Sequence, residues 1–253
     1  MSEIKTAAEL ELMRTGGQKL HMIREKLLEE IKVGVEPLQI DALAKKLIQE
    51  SGATPSFVTV GDYKWATCIC VNDAVVHGIP TTKSLVWGDV VSLDVGLLYQ
   101  GFHTDTSWTK IVRSLKLVVP SETEKFVKIG EIALEKAILE AKPGNRVGHI
   151  SKAIQEIVEG AGYSVVKTLV GHGVGRQLHE SPHIPGLLTQ PLERTPELKT
   201  GMVLAIEVIY NMGGPEIVYK NDDGWTLATA DGSLSGLYEQ TVAVTPTGPI
   251  VLT

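Results

Sequence analysis

Three of the seven histidines of the chain lie in one stretch, GHGVGRQLHESPHIPG, at positions 171–186. Its string HESPH matches the pattern H-E-x-x-H, in which two histidines on one helix face bind zinc. Pro182 and Pro185 exclude that helix, because proline lacks the amide N–H and clashes with the preceding turn. The string GHGVGR also lacks the last glycine of the nucleotide-binding pattern G-x-G-x-x-G. Histidines that only fill a loop remain an alternative.

Two aspartates occur on consecutive predicted strands in VVSLDVGLLYQGFHTDTSWTKI. If this hairpin turns about Tyr99–Gln100, Asp94 and Asp105 pair directly, with Cβ atoms roughly 4.5–5.5 Å apart. Like charges at that distance repel unless positive charge lies between them, and two divalent cations roughly 3.5–4 Å apart would suit the gap. An exposed hairpin with an unfavourable acid pair is the alternative.

Two glutamates interrupt otherwise apolar strands, Glu207 in GMVLAIEVIY and Glu239 in SGLYEQTVAVT. A buried carboxylate must be paired or bound to metal, although an exposed strand face would explain either glutamate alone. Together with the two aspartates and one loop histidine, they form an oxygen-rich donor set. Such a set suits Mn, Fe, Co or Zn at a dinuclear hydrolytic centre better than a structural zinc site.

The composition is that of a globular protein, with 43% hydrophobic residues in 253. A net charge of −6 argues against a nucleic-acid-binding surface, which needs a basic face. No stretch has the pattern of a signal peptide or of a membrane span, so a cytoplasmic location is expected. Cys68 and Cys70 alternate along a predicted strand and therefore point to opposite faces, which predicts that they are not bonded to each other.

The order of predicted elements is two helices and then strands, twice over. Helices are predicted over 7–31, 38–50 and about 148–160, and another begins near a Ser121–Glu124 capping box. At an offset of 110 residues, Gly34 matches Gly144 and Gly52 matches Gly162. We therefore predict one α+β domain over residues 1–253. Its halves, about 1–115 and 116–253, would be related by a pseudo-twofold axis, with helices backing a mostly antiparallel sheet and a cleft between them.

Several motifs resemble those of the short bacterial type I methionine aminopeptidases, members of the pita-bread metallopeptidases. They are VNDAVVHGIP (71–80), SLDVG (92–96), HTDTS (103–107), GHGVGRQLHESP (171–182), AIE (205–207) and WTLATADGSLSGLYEQT (225–241). The motifs occur in the family's order and with family-like spacing over essentially the whole chain. The resemblance implies the pita-bread fold, with its curved sheet, and removal of N-terminal methionine from polypeptides with a small second residue.

The resemblance also implies the site residues. The implied metal ligands are Asp94, Asp105, His172, Glu207 and Glu239, with Asp105 and Glu239 bridging two divalent ions (Co, Mn, Fe or Zn). A water or hydroxide between the ions would attack the first carbonyl, and Glu207 would receive its proton. His179 would bind the developing oxyanion, and His77 would lie near the scissile amide nitrogen.

The resemblance places a methionine slot at Tyr63, Cys68, Leu178 and Trp225. Leu178 stands where phenylalanine is usual in the family, and Val60 where an aromatic residue is expected, so we expect a wider slot. The segment AIEVIY lacks the family's usual proline after Glu207, and Gln240 replaces a common histidine. These departures concern fine specificity and remove no implied ligand.

Two other functions remain open within the same fold. A prolidase or Xaa-Pro aminopeptidase is disfavoured, because those relatives usually carry an extra N-terminal domain and the first predicted helix here begins within about ten residues of Met1. A peptide-binding module without catalysis is disfavoured by the complete set of implied ligands. Peptide and protein N-termini bearing methionine are the implied partners, the ribosome is a candidate partner, and nothing in the chain requires more than a monomer.

Overall fold

A computed structural model describes residues 4–114 and 117–253 of the protein. The helices are α1 (Ala7–Glu29), α2 (Pro37–Glu50), α3 (Ser121–Leu139) and α4 (Val147–Gly160). The strands are β1 (Thr54–Pro55), β2 (Thr67–Val71), β3 (Ala74–Val76), β4 (Val90–Tyr99), β5 (Phe102–Ile111), β6 (Ser164–Val165), β7 (Val170–Gly173), β8 (Glu180–Pro185), β9 (Val203–Asn211), β10 (Ile217–Tyr219), β11 (Leu227–Thr229), β12 (Ser235–Thr245) and β13 (Gly248–Val251). Short 3-10 helices cover Phe57–Thr59 and Leu192–Arg194.

Most strands belong to one ten-stranded sheet with the central order β1-β4-β5-β12-β9-β7-β8. Strand β2 adds to β4, β6 adds to β9, and β13 adds to β12, while β10, β11 and β3 form a separate small sheet. All strand pairings within the described ranges are antiparallel. The expected antiparallel α+β architecture is therefore confirmed.

The helices pack in pairs against the two halves of the large sheet. Leu20 and Leu27 of α1 share a buried cluster with Leu93 of β4, and Ile150 of α4 shares another with Leu204 of β9. Each such side chain contributes about 1.5–3 kcal/mol by leaving water. Because strand residues alternate between faces, the residues next to these core positions point to the opposite face of the sheet. That face contains the polar residues of the site.

The two 14-residue helices α2 and α4 are offset by 110 residues at both ends. Gly34 and Gly144 precede them with φ of +88° and +87°, and Gly52 and Gly162 follow them with φ of +77° and +89°. The equal offset agrees with the predicted duplication, which stays a prediction. The predicted boundary between the halves, at residues 115 and 116, lies outside the described residues.

The register of the β4–β5 hairpin differs from the predicted one. Asp94 pairs with Ser107, and Asp105 pairs with Gly96. The turn is centred on Gln100 and Gly101, whose φ angles are +48° and +87°. A two-residue turn that matches strand twist needs positive φ at both positions, and glycine adopts it without steric cost. The turn therefore lies one residue later than expected, and the two aspartates are diagonal neighbours on one face.

The predicted capping box at the start of α3 is wrong, and the other helix predictions hold to within two residues. Helix α3 begins at Ser121 itself, after Pro120, and no side chain caps it. Glu124 instead accepts a hydrogen bond from Arg113 at 2.8 Å. A capping box occurs in α1, where Thr6 and Glu9 bond reciprocally. Within the described ranges, no helix combines the length and apolar character needed to cross a membrane.

Candidate metal centre and substrate cavity

Three carboxylates lie in a row across the middle of the large sheet. The register pairs Asp94 with Ser107, Ser107 with Glu239, and Glu239 with Glu207, so the row crosses β4, β5, β12 and β9. Paired residues in neighbouring strands point to the same face. Strand register alone therefore brings Asp94, Glu239 and Glu207, which are distant in sequence, onto one surface.

Asp105 and His172 complete this group from neighbouring positions. Asp105 is two residues before Ser107 on β5, and His172 pairs with Ala205, two residues before Glu207. Asp105, His172 and Glu239 each offer one potential ligand atom, and these atoms lie within 4.8 Å of one another. The Nε2 atom of His172 is 3.5 Å from Oε1 of Glu207. We call these five side chains the polar wall of the cavity.

Threonine hydroxyls join β5 to β12 where the backbone ladder is short. The Thr241 hydroxyl accepts a hydrogen bond from the Asp105 N–H at 2.9 Å and donates to the Asp105 carbonyl at 2.8 Å. The Thr109 hydroxyl forms the same two bonds with Leu237, at 2.9 and 2.8 Å. Thr106 donates to the Glu239 carbonyl at 2.9 Å. These bonds fix the backbone of Asp105 and Glu239, two of the acidic residues, where β5 meets β12.

The carboxylates of the polar wall are electrostatically strained without a counter-charge. Burial raises the pKa of Asp105 to about 7. Burial, and then repulsion by Asp105 and Glu207, raise the pKa of Asp94 well above its ordinary value. The pKa values of Glu207 and Glu239 are also raised by burial and by their acidic neighbours. Perturbed carboxylates in a cavity mark a functional site.

The donor atoms fit a metal ion. Asp94 Oδ1 and Glu239 Oε1 are buried and lack a hydrogen-bond partner among the described residues. The Nδ1–H of His172 donates to the Gly173 carbonyl at 2.9 Å, which leaves the Nε2 lone pair facing Glu207. Burial lowers the pKa of His172 to about 4, so its ring is neutral near pH 7. A neutral imidazole among unpaired carboxylate oxygens is a donor set for a divalent cation.

Two further histidines lie beside the polar wall. The ring centroid of His179 is 4.5 Å from that of His172, and the rings are nearly perpendicular. Burial and the neighbouring His183 lower the pKa of His179. His77 follows β3 with φ of +56° and lies exposed at the cavity rim, 6.4 Å from Trp225 between ring centroids. Partial desolvation there, and then His179, lower its pKa. Both rings can donate one hydrogen bond as neutral imidazoles.

The rest of the cavity is apolar and comes mainly from turns and short elements. Tyr63 packs edge-on against Trp225, with ring centroids 5.0 Å apart. Phe57, Cys68 and Leu178 share a buried cluster with Tyr63. We call Phe57, Val60, Tyr63, Cys68, Leu178 and Trp225 the apolar wall. An unbranched thioether gains from contact with such aromatic edges.

All eleven residues predicted from the sequence line this one cavity, although their individual roles stay predictions. Sequence reasoning missed six further lining residues, Phe57, Val76, Leu169, Val170, Ile209 and Leu237. Ile209 and Leu237 lie two positions from Glu207 and Glu239 on their strands, and alternation would have found them. No sequence signal indicated Phe57 or Leu169.

The segment HESPH is extended, as the prolines predicted, and Glu180–Pro185 forms β8. Three of the remaining histidines have structural partners. Nδ1 of His103 is 2.9 Å from the Ser56 hydroxyl, Nδ1 of His21 is 2.9 Å from Nη2 of Arg24, and Nδ1 of His149 accepts from the Arg146 N–H. Cys68 and Cys70 are free and buried, which confirms that they are not bonded to each other.

Comparison with known proteins identifies the family. The model of metallopeptidase family M24 matches residues 11–246. The chain belongs to this family. Among the curated relatives, the methionine aminopeptidase of Clostridium perfringens is 42% identical and the methionine aminopeptidase 1 of Bacillus subtilis is 40% identical. The matches cover 99% and 98% of this chain, and 98% of each relative.

The solved structures confirm the pita-bread fold of this M24 protein. The crystal structure of methionine aminopeptidase from Thermotoga maritima superposes with a TM-score of 0.95 at 38% identity, covering 100% of this chain and 99% of that one. The prolidase from Pyrococcus furiosus superposes with a TM-score of 0.79 at 26% identity, and the match covers 99% of this chain and 65% of the prolidase. As an M24 metallopeptidase, the protein uses divalent metal, and its polar wall supplies suitable donors.

Proposed function

We propose that this protein is a methionine aminopeptidase that removes the first residue from polypeptides whose second residue is small. The observation that carries the proposal is one cavity that combines a carboxylate–histidine cluster with an aromatic, sulfur-containing slot. Full-length similarity to relatives named methionine aminopeptidase supports it.

We assign Asp94, Asp105, His172, Glu207 and Glu239 as the side chains that would together hold a pair of divalent ions. Five donors with this many carboxylate oxygens exceed the needs of one tetrahedral ion. Bound divalent ions supply positive charge that polarises a carbonyl group and makes a nearby water molecule more acidic. Co, Mn, Fe and Zn all accept such a donor set.

Three side chains around the scissile bond have proposed roles in proton transfer and in hydrogen bonding to the substrate. Glu207 is the proposed general base, because its carboxylate lies in the polar wall beside His172, where it would accept the proton of the attacking water. His179, beside His172, would donate a hydrogen bond to the carbonyl oxygen as negative charge develops there. His77, which also lines the cavity, would contact the scissile amide. The apolar wall would hold the methionine side chain and exclude water from it.

A simple assay separates this proposal from its alternatives. The purified protein with Mn²⁺ or Co²⁺ should release methionine from the peptide Met-Ala-Ser and leave an Xaa-Pro dipeptide intact. A prolidase would show the reverse preference, and a binding module would release nothing from either substrate. Glu239→Ala is the matched control for contaminating peptidases, and equal methionine release by that variant would refute the assignment.

Nascent polypeptides in the cytoplasm are the proposed physiological substrates, with the ribosome as a candidate partner and a monomer as the working unit. Similarity to bacterial methionine aminopeptidases supports the substrate class. Sedimentation of the purified protein with and without ribosomes tests both the association and the oligomeric state.

A further inference from the structure

The turn between β7 and β8 has no regular secondary structure, yet it carries two residues that line the cavity. Residues 174–179 lie outside any helix or strand, and Leu178 and His179 line the cavity from there. The backbone of Gly175 is held on one side, where its carbonyl accepts from the His103 N–H at 2.7 Å. The position of His179 therefore depends on what holds the other side of this turn.

A lysine from the segment before α1 holds that side. The ammonium group of Lys5 forms an ion pair with the carboxylate of Glu180, the residue after His179. The side chains of Lys5 and Glu180 are only 1% and 7% exposed. The Lys5 backbone is fixed independently, because its N–H donates to the Gly201 carbonyl at 2.8 Å. The other carboxylate oxygen of Glu180 accepts from the Gln177 N–H at 3.1 Å, within the turn.

The turn is shaped around this lysine. A Cβ atom on Gly175 would lie 2.3 Å from Cε and 2.5 Å from Nζ of Lys5, and 2.8 Å from Oε1 of Glu180. Any side chain at position 175 would displace the ion pair. The third glycine of GHGVG, Gly175, thus makes room for a buried cation from a distant part of the chain, which a phosphate-binding loop would not require.

A second ion pair joins the turn to the first turn of α1 at the surface. Arg176 of the turn pairs with Glu9 of α1, and the guanidinium lies 5.3 Å from the centre of the Phe102 ring. The Arg176 side chain is 49% exposed. Exposed ion pairs contribute little to stability, whereas a buried pair that loses one partner leaves an uncompensated charge. The two pairs therefore make a natural contrast.

We propose that Lys5 is a positioning residue, which acts through its buried pair with Glu180 to aim Leu178 and His179 into the cavity. The inference rests on the proposed function, since it assigns His179 a part in peptide hydrolysis. It gives the segment before α1 a part in catalysis without contact with the substrate.

The main test compares two substitutions. Lys5→Met removes the cation of the buried ion pair, and Arg176→Met removes the cation of the surface ion pair. Lys5→Met should lower kcat by about 10- to 100-fold, the range for losing a partner that orients a reacting group, with metal content unchanged. Arg176→Met should change kcat by less than about threefold, because its side chain is half exposed and water can take the place of the lost cation. Lys5→Met with kcat within twofold of the wild type would overturn the proposal.

A double-mutant cycle with His179→Ala separates positioning from a general loss of structure. If Lys5 acts through His179, Lys5→Met should have almost no further effect on kcat in the His179→Ala background. Additive losses would show that Lys5 acts elsewhere. The pair Lys5→Met/Glu180→Leu replaces the ion pair with apolar groups, so its Tm should recover while kcat stays low. Recovery of kcat together with Tm would reduce the role of Lys5 to stability.

Hydrogen exchange provides a readout that is independent of activity. Amides of residues 174–180 should exchange at least tenfold faster in Lys5→Met and in Glu180→Gln than in the wild type, and at the wild-type rate in Arg176→Met. Unchanged exchange in both buried-pair variants would refute the inference. If the wild type releases no methionine, the proposed function fails. If the wild type releases methionine but Lys5→Met and Arg176→Met have the same kcat and the same exchange rates, only the positioning role of Lys5 fails.

Discussion

The polar wall and the apolar wall of the cavity are held in place by different means. Asp94, Asp105, Glu207 and Glu239 come from long central strands whose register is fixed by hydrogen bonds on both sides. Most residues of the apolar wall come from a 3-10 helix, turns and loops at the edge of that sheet. Paired strands set relative positions tightly, whereas loops tolerate change. Substitutions in the polar wall should therefore abolish activity, whereas substitutions in the apolar wall should change it by degrees.

The largest effect should come from the centre of the polar wall. Glu239→Ala or Asp105→Ala removes a donor from the group whose ligand atoms lie within 4.8 Å of one another, and leaves the remaining carboxylates facing each other. We expect loss of metal binding and of turnover. Metal content by elemental analysis and methionine release measure the two effects. Retained activity in either variant would end the assignment of these residues.

A smaller loss is expected at the boundary between the walls. His179→Ala should lower kcat by roughly 10²–10³, the scale for one donor to a developing oxyanion, with near-normal metal content. The reason is that His179 neighbours the donor His172 but belongs to the turn after β7. If the metal were lost as well, the functions assigned to the two histidines would have to be exchanged. His183→Ala, in the neighbouring strand, is the matched control.

The apolar wall should respond in degrees. Trp225→Ala removes the ring that packs on Tyr63, and the slot should widen without losing the metal. We expect kcat/KM for a methionine peptide to fall about tenfold, and discrimination against a leucine peptide to fall by a similar factor. Leu178→Phe should narrow the slot and increase that discrimination. Steady-state kinetics with the two peptides checks both variants. Equal discrimination in all three proteins would place the methionine side chain elsewhere.

The difference between the walls also explains how much the sequence predicts. Acids in apolar strands indicated the metal centre, because a buried carboxylate needs a counter-charge whatever the details of the fold. The same reasoning placed Asp94 directly opposite Asp105 and was wrong by two residues, because the φ angles at Gln100 and Gly101 decide the turn. Phe57 and the bond between Lys5 and Glu180 gave no sequence signal, since they depend on how irregular segments pack.

The smallest expected effect is a change of stability with pH, which should depend on the acidic residues of the polar wall and not on the apolar wall. Burial holds the pKa of Asp105 at about 7, above its ordinary value of 3.8, so the folded metal-free protein binds this proton more tightly than the unfolded chain does. That contribution to stability is complete below the unfolded pKa and is lost as the pH rises through about 7. The lowered pKa values of His172, His179 and His103 act in the opposite sense, because an unfolded histidine is about half protonated at pH 6.5 and loses that proton by about pH 8.

Between pH 6.5 and 8.0 the chelated wild type should therefore lose about 1 kcal/mol from Asp105 that chelated Asp105→Asn does not lose, because the asparagine does not titrate. The Tm of the wild type should fall by about 2–4 °C relative to that of Asp105→Asn, since the histidines titrate in both proteins. Added Mn²⁺ should raise the Tm of the wild type more at pH 8.0, where fewer protons compete for the carboxylates. Trp225→Ala should follow the wild-type pH dependence. An equal pH dependence of Tm in the wild type and in Asp105→Asn would show that the buried Asp105 carboxyl is not its source.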